Sequence, residues 1–159
     1  MSVDAVVRRL TPDAALIAAR TIAEIKHGFE HDVVEREAER LRNWLEDRSN
    51  VFFAALEGDR PVGFALGYLL DRIDGKAPML FFYEIEVLPE RRRQGIGTSL
   101  VEAMKSIARA ERVAKMWVQT DPENAAARAR YEQAGGARGK LPEEIYTWTP
   151  EAFSTLECP

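Results

Sequence analysis

Three groups of residues have the types and spacing to do chemistry. The first is the run Arg92-Arg93-Gln94-Gly95-Ile96-Gly97-Thr98, set between the apolar stretch 79–87 and the helically spaced stretch 100–107. A strand, a basic glycine-containing turn and a helix start together hold a phosphate. Glycine lets backbone N–H groups approach an anion, and the helix N-terminus supplies unpaired donors and a favourable dipole. Arg92 and Arg93 add charge-assisted hydrogen bonds. The second group is Glu84 and Glu86, two carboxylates in the aromatic run Leu80-Phe81-Phe82-Tyr83-Glu84-Ile85-Glu86-Val87. Two residues apart on a strand, they share a face unless a bulge intervenes. Partial burial of a carboxylate moves it towards a useful base, and Glu84 is the first choice for that role, Glu86 the second. The third group is Asn124, Ala127 and Tyr131, which fall on one face of a helix. The small Ala127 leaves room for something to lie against that face.

The elements that must position these groups can be read from periodicity. Residues 6–10 form a first strand, and Thr11-Pro12-Asp13 starts a helix with Thr as cap and Pro in the first turn. Leu16, Ala19, Ile22, Ile25 and Phe29 give that helix one apolar face, and Gly28 breaks it. A second helix covers residues 33–47, with Val34, Ala38, Leu41 and Leu45 on one stripe. Residues 51–56 and 62–70 pair as a hairpin, and residues 79–87 form a central strand ended by Pro89. A helix over residues 96–111, a short strand over 115–120 and a helix from Asp121-Pro122-Glu123 to Gly135-Gly136 follow. Residues 137–140 and 145–148 are expected to close the sheet. The order β-α-α-β-β-β-α-β-α-β-β predicts one α/β domain over residues 1–159. Its mixed, mostly antiparallel sheet of about six to seven strands is flanked by about four helices.

Composition narrows the classes of partner. Hydrophobic residues make up 46% and charged residues 30%, the balance of a globular chain and not of a disordered one. The formal net charge of −4 argues against a nucleic-acid surface and makes the arginine run a local exception. Cys158 is the sole cysteine, so no internal disulfide forms, which suits a reducing cytoplasm. No secretory signal is visible at the N-terminus, and the apolar stretch 62–70 is too short to span a bilayer, so no membrane role is expected. His27 and His31 lie four apart without a further ligand pattern, so no metal site is expected.

On the loop Arg92-Arg93-Gln94-Gly95-Ile96-Gly97, the chain resembles the GCN5-related N-acetyltransferases, the GNAT family. Its element order matches the family fold over nearly the whole chain. The run Asn124-Ala125-Ala126-Ala127-Arg128-Ala129-Arg130-Tyr131-Glu132-Gln133-Ala134-Gly135 is similar to the family's Asn…Ala…Tyr-Glu…Gly pattern. The family usually has an apolar or aromatic residue after that glycine, where this chain has Gly136. The resemblance implies acetyl-CoA as co-substrate. It implies that residues 94–98 wrap the diphosphate, that the backbone of Ile85 to Val87 pairs with the pantetheine arm, and that Asn124 contacts the pantetheine. It also places Tyr131 near the sulfur as general acid. An ammonium with a pKa of about 10.4 must lose a proton before attack, and a thiolate of pKa about 8.5 leaves more easily when protonated.

The strand and loop, Phe82 to Val87 and Glu90 to Ile96, also resemble the aminoglycoside 3-N-acetyltransferases of the GNAT type, as do residues 43–56 and Glu143-Glu144. That resemblance implies a small-molecule amine acceptor beside Glu84. Asp71, Asp74, Asp121, Glu143 and Glu144 are acidic loop residues expected to gather at the mouth of the pocket, although ordinary solvated loop charges read the same way. Acidic loops suit other small amines, polyamines or a basic peptide as well. A non-catalytic acyl-CoA-binding module would need neither Glu84 nor Tyr131. GNAT enzymes are often dimers, which makes a homodimer the expected assembly.

Overall fold

The computed structural model describes residues 4–28 and 30–139. Its core is a five-stranded sheet in the order β1-β2-β3-β4-β5. These strands are β1 (Val6–Arg9), β2 (Asn50–Glu57), β3 (Arg60–Leu70), β4 (Met79–Val87) and β5 (Lys115–Val118). The first four form an antiparallel meander, and β5 joins β4 in parallel. That parallel step needs a crossover, which is α3 (Ile96–Ala110).

Strands β2 and β3 read as continuous apolar runs because both faces are covered. One face carries Phe52, Ala54, Leu56 and Phe64 against α1 (Ala15–Thr21) and α2 (Val34–Glu46). The other carries Val51, Phe53, Ala65, Leu80 and Phe82 against Leu100, Met104 and Ile107 of α3. Gly67 permits the close approach of α3: a Cβ there would meet Met104 Sδ and the Phe81 carbonyl at 3.1 Å each. Helix α4 (Ala125–Gln133) lies on the α3 side, where Tyr131 and Ala134 pack against the second core.

Several boundaries depart from the sequence expectation, each for a local reason. Thr11 does not cap α1. Its hydroxyl turns to the Asp13 carboxylate, and Pro12–Ala14 form a 3-10 turn before the helix begins at Ala15. The same helix ends in a π-helical segment, Ile22–Lys26, and His27 in the left-handed region (φ 51°) terminates it ahead of Gly28. Helix α4 starts at Ala125 because the Asp121 carboxylate accepts from Glu123 N–H (2.8 Å), folding Asp-Pro-Glu into a turn. Asn124 takes the cap, its Oδ1 accepting from Ala127 N–H at 3.0 Å. The sheet has five strands among the described residues against the six to seven expected. Residues 137–139 lie in no strand, and the expected strand over residues 145–148 is outside the described residues.

Candidate active site

Strands β4 and β5 pair over only four residues, from Met79 opposite Lys115 to Phe82 opposite Val118. β4 runs on to Val87 without β5 beside it. The separation coincides with a register shift on the other edge, where Leu66 faces Glu84 but Gly67 faces Phe82. Tyr83 is the extra residue of a β-bulge, and such a bulge re-aims the side chains that follow. Beyond it the backbone alternates so that the Glu86 carbonyl lies against Gly63 and Leu88 N–H bonds to the Val62 carbonyl (2.9 Å). Ile85 and Val87 therefore turn their N–H and C=O groups to an edge that is open among the described residues. Of these, the Val87 carbonyl accepts from Arg92 Nε at 3.0 Å.

The bulge places Tyr83 and Glu84 together on the α1 side, with Glu86 on that side opposite Phe64. Both carboxylate oxygens of Glu84 accept from Lys26 Nζ, at 2.5 and 2.6 Å. The Lys26 ammonium also lies 5.7 Å from the centre of the Phe64 ring. Beside this pair runs a chain of aromatic rings, each 5.1–6.3 Å from the next: Trp44, Tyr68, Tyr83, Phe81 and Trp117. Tyr83 is more than half exposed. Burial, with Tyr83 and Glu84 nearby, holds the Tyr68 phenol above its ordinary pKa, and Lys26 opposes this.

On the opposite face, the half-buried Tyr131 ring packs edge-on against Phe82, with centroids 6.3 Å apart. Burial raises the Tyr131 phenol above its usual pKa, and Arg130 pulls it the other way.

The arginine loop is built by a 3-10 turn, Pro89–Arg91, and two left-handed residues, Arg93 (φ 60°) and Gly95 (φ 83°). Its arginines divide their work. Arg91 is ion-paired with Glu57, tying the loop to the β2–β3 hairpin, and Arg92 reaches back to Val87, while the Arg93 side chain is exposed. Gln94 Nε2 donates to the Glu90 carbonyl at 3.3 Å. Among the described residues no side chain caps α3, and Ser99 is the first residue whose N–H bonds back into the loop, to the Gly95 carbonyl. The N–H groups of Ile96, Gly97 and Thr98 thus have no helical acceptor. Arg130 of α4 sits over this turn: a Cβ on Gly97 would lie 2.8 Å from Arg130 Nε. Donors without an acceptor among the described residues, a left-handed glycine and an overlying guanidinium suit a diphosphate.

The sequence profile described as the Acetyltransferase (GNAT) family matches residues 18–136. The chain belongs to the GNAT family. Its fold agrees with solved members. An aminoglycoside acetyltransferase from an uncultured soil metagenomic sample aligns with a TM-score of 0.73 at 25% identity, over 93% of this chain and 100% of that one. A second from such a sample, solved with sisomicin, aligns at 0.71 and 22% identity, over 91% and 97%. Aminoglycoside N-acetyltransferase AAC(6')-Iy in complex with CoA aligns at 0.70 and 19% identity, over 94% and 97%. The comparison with curated protein sequences gives no match.

For this GNAT enzyme, an acetyl-CoA-dependent N-acetyltransferase, the split where β4 leaves β5 lies between Phe82 and Glu84, which face opposite sides of the sheet. Arg92 ties the loop to Val87, Tyr131 meets Phe82 at the last pair of β4 with β5, and Arg130 of the same helix lies over Gly97 at the start of α3. Asn124 and Ala127 are on the first turn of α4, and the Asn124 cap leaves its amide nitrogen free of that bond. Asp121 follows β5 at the same end of the sheet as Glu84. Asp71 does not join them. It follows Leu70, which pairs with Met79 at the far end of β4, and Asp74 there is ion-paired with Arg72. Glu143 and Glu144 lie outside the described residues. Among the described residues, no cluster of three or more His, Cys, Asp or Glu side chains is arranged to hold a metal ion, and no helix is long and apolar enough to cross a membrane. Two neighbours of the site had no signal in the sequence reading. Lys26 meets Glu84 across 58 positions, and Arg130 reaches Gly97 only because α4 packs on α3.

Proposed function

We propose that this acetyltransferase transfers the acetyl group of acetyl-CoA to a primary amine of an aminoglycoside, with Glu84 receiving the amine. The observation that carries the reading is the ammonium already held there: both Glu84 oxygens grip Lys26 Nζ with charge-assisted geometry. Support for a sugar-like polyamine comes from the exposed aromatic edge at Tyr83, which offers apolar ring faces and cation–π contact beside the carboxylate. The structural neighbours named as aminoglycoside acetyltransferases, one of them solved with sisomicin, support the same class. The resemblance of strand β4 favours the 3-amino group as the position acetylated.

In this reading, the diphosphate rests on the backbone N–H groups of residues 94–98, with Arg92 and Arg93 adding charge. The pantetheine arm pairs with the open edge at Ile85 and Val87 and passes Asn124 and Ala127. The thioester then lies in the split between β4 and β5. Glu84 takes the proton of the acceptor ammonium, with Glu86 the second carboxylate on that face. The amine nitrogen attacks the thioester carbon, and an outward N–H of β4 meets the developing oxyanion. As the C–S bond breaks, Tyr131 gives its proton to the sulfur from the other face, and the second proton leaving the attacked nitrogen passes through solvent to restore the phenol. Asp121 supplies negative charge at the acceptor mouth.

The test is thiol release from acetyl-CoA with sisomicin, spermidine, amino acids and a basic peptide as separate acceptors. Turnover with sisomicin, with the product's acetylated nitrogen located by NMR, is the expected result. Turnover with the peptide alone would move the reading to protein acetylation. Acetyl-CoA binding without turnover on any acceptor would leave only a binding module. A homodimer, which the family resemblance implies, is checked by light scattering.

A further inference from the structure

Lys26 and Glu84 are joined although nothing in the local fold requires it. Lys26 is the last residue of the π-helical segment, and Glu84 is the first residue after the bulge. The lysine ammonium lies near the Phe64 ring and bonds to both carboxylate oxygens. The pair is reachable from outside, with side-chain exposures of 37% and 26%. A carboxylate held by one ammonium through both oxygens has no equivalent position for a second, and two ammonium groups at that distance repel.

We propose that Lys26 is a built-in occupant of the acceptor-ammonium position: it holds Glu84 in the free enzyme and is displaced by the acceptor amine. This rests on the reading of Glu84 as the group that receives the acceptor. Displacement needs only rotation about the four-carbon lysine stem, whose ammonium keeps the Phe64 face as an alternative partner. Lys26 is then a specificity-determining residue. It weakens every acceptor by the strength of the internal pair, and it favours acceptors whose further ammonium groups find partners elsewhere on the aromatic and acidic face.

The experiment compares the parent protein with Lys26→Met, Lys26→Gln and Lys26→Arg, each checked for folding by thermal melting. Acceptor affinity is read twice: as KM in thiol release, and as Kd by calorimetry with sisomicin and with spermidine in the absence of acetyl-CoA. The neutral variants are expected to lower both constants about fivefold, the scale of a partly exposed ion pair. Lys26→Arg is expected to keep the parent values, and acetyl-CoA affinity to stay unchanged throughout. In a Glu84→Gln background the Lys26→Met change should leave acceptor Kd unaltered. A neutral variant whose kcat falls while acceptor KM and Kd stay at parent values overturns the proposal, because Lys26 would then only position Glu84. Failure of both amines to bind any of the proteins overturns it too. Acceptor binding without thiol release sinks the acetyl-transfer reading instead, and the calorimetry still decides the role of Lys26.

Discussion

Phe82 and Glu84 stand two residues apart on β4 and yet project from opposite faces of the sheet. Phe82 is buried against α3 and touches Tyr131, whereas Glu84 faces the α1 side and binds Lys26. The extra residue at Tyr83 causes the reversal. It also falls where the pairing of β4 with β5 ends. In the proposed reaction, Tyr131 as acid and Glu84 as base approach the thioester from these two opposite sides.

Replacing Glu84 with Gln keeps size and hydrogen-bonding shape but removes the proton acceptor. kcat for thiol release in the presence of sisomicin should fall about 10²- to 10⁴-fold. The Kd for acetyl-CoA, measured by calorimetry, should barely move, because the free donors lie on the loop and α3. Glu86→Gln should cost less, as Glu86 lies farther from the bulge. Full activity of the Glu84 variant across the pH range would remove Glu84 from the chemistry.

Tyr131→Phe tests the acid. Burial keeps the Tyr131 phenol protonated beyond its ordinary pKa of 10.0, against a smaller opposing pull from Arg130. The proton is thus present throughout the neutral and mildly alkaline range, and no alkaline loss of kcat should arise from this group below pH 10.0. The Phe variant should show a kcat reduced about 10²-fold at each pH from roughly 6 to 9, with the same profile shape. The linkage to stability has a definite sign. The unfolded chain ionises this tyrosine first, so its contribution to stability is complete below pH 10.0 and declines above it. A variant with parent kcat would reduce Tyr131 to the packing tyrosine that its contact with Phe82 also explains.

Local rules carried the sequence reading far, and long-range contacts marked its limit. Helix α3 was expected over residues 96–111 and spans Ile96–Ala110, because its apolar face and the preceding glycine are both local signals. The loop and the strand before it were legible for the same reason. The bulge at Tyr83 was not, since the shift is defined only by the partner strand. Without it the separation of Glu84 from Tyr131 by the sheet stays hidden. The expected cluster of loop acids fared unevenly because a turn's position depends on register. Asp121 follows a strand parallel to β4 and lies past the same end of the sheet as Glu84, whereas Asp71 follows an antiparallel one and is left at the far end.

The ion pair of Arg91 with Glu57 predicts that loop geometry and coenzyme affinity can be damaged without touching a coenzyme-facing group. The two side chains are only 23% and 15% exposed. Arg91→Met leaves the Glu57 carboxylate without its partner in a largely dehydrated place, at a cost of about 2–3 kcal/mol. Chemical denaturation should register that loss. Acetyl-CoA Kd should weaken with it, because Pro89–Arg91 is the turn that launches the loop. Arg92→Met, whose tie is a single bond to the Val87 carbonyl, should weaken coenzyme binding with little change in stability.

Gly97 and Arg130 make the loop's other dependence testable. A methyl group at position 97 would sit 2.8 Å from Arg130 Nε and 3.0 Å from Cζ. The obstructing atoms belong to the end of a flexible side chain, so Gly97→Ala displaces the guanidinium and does not disrupt the backbone. The helical position favours alanine over glycine, which offsets any strain in folding. Stability should accordingly change by less than about 1 kcal/mol. Acetyl-CoA affinity should fall about tenfold, the scale of one charge-assisted hydrogen bond to phosphate. Arg130→Met should produce the same loss. The double variant should lose no more than either single one, because both remove the same contact. Additive losses would mean that the methyl group obstructs the coenzyme directly, and an unchanged Kd in Arg130→Met would show that the guanidinium over the helix start does not meet the diphosphate.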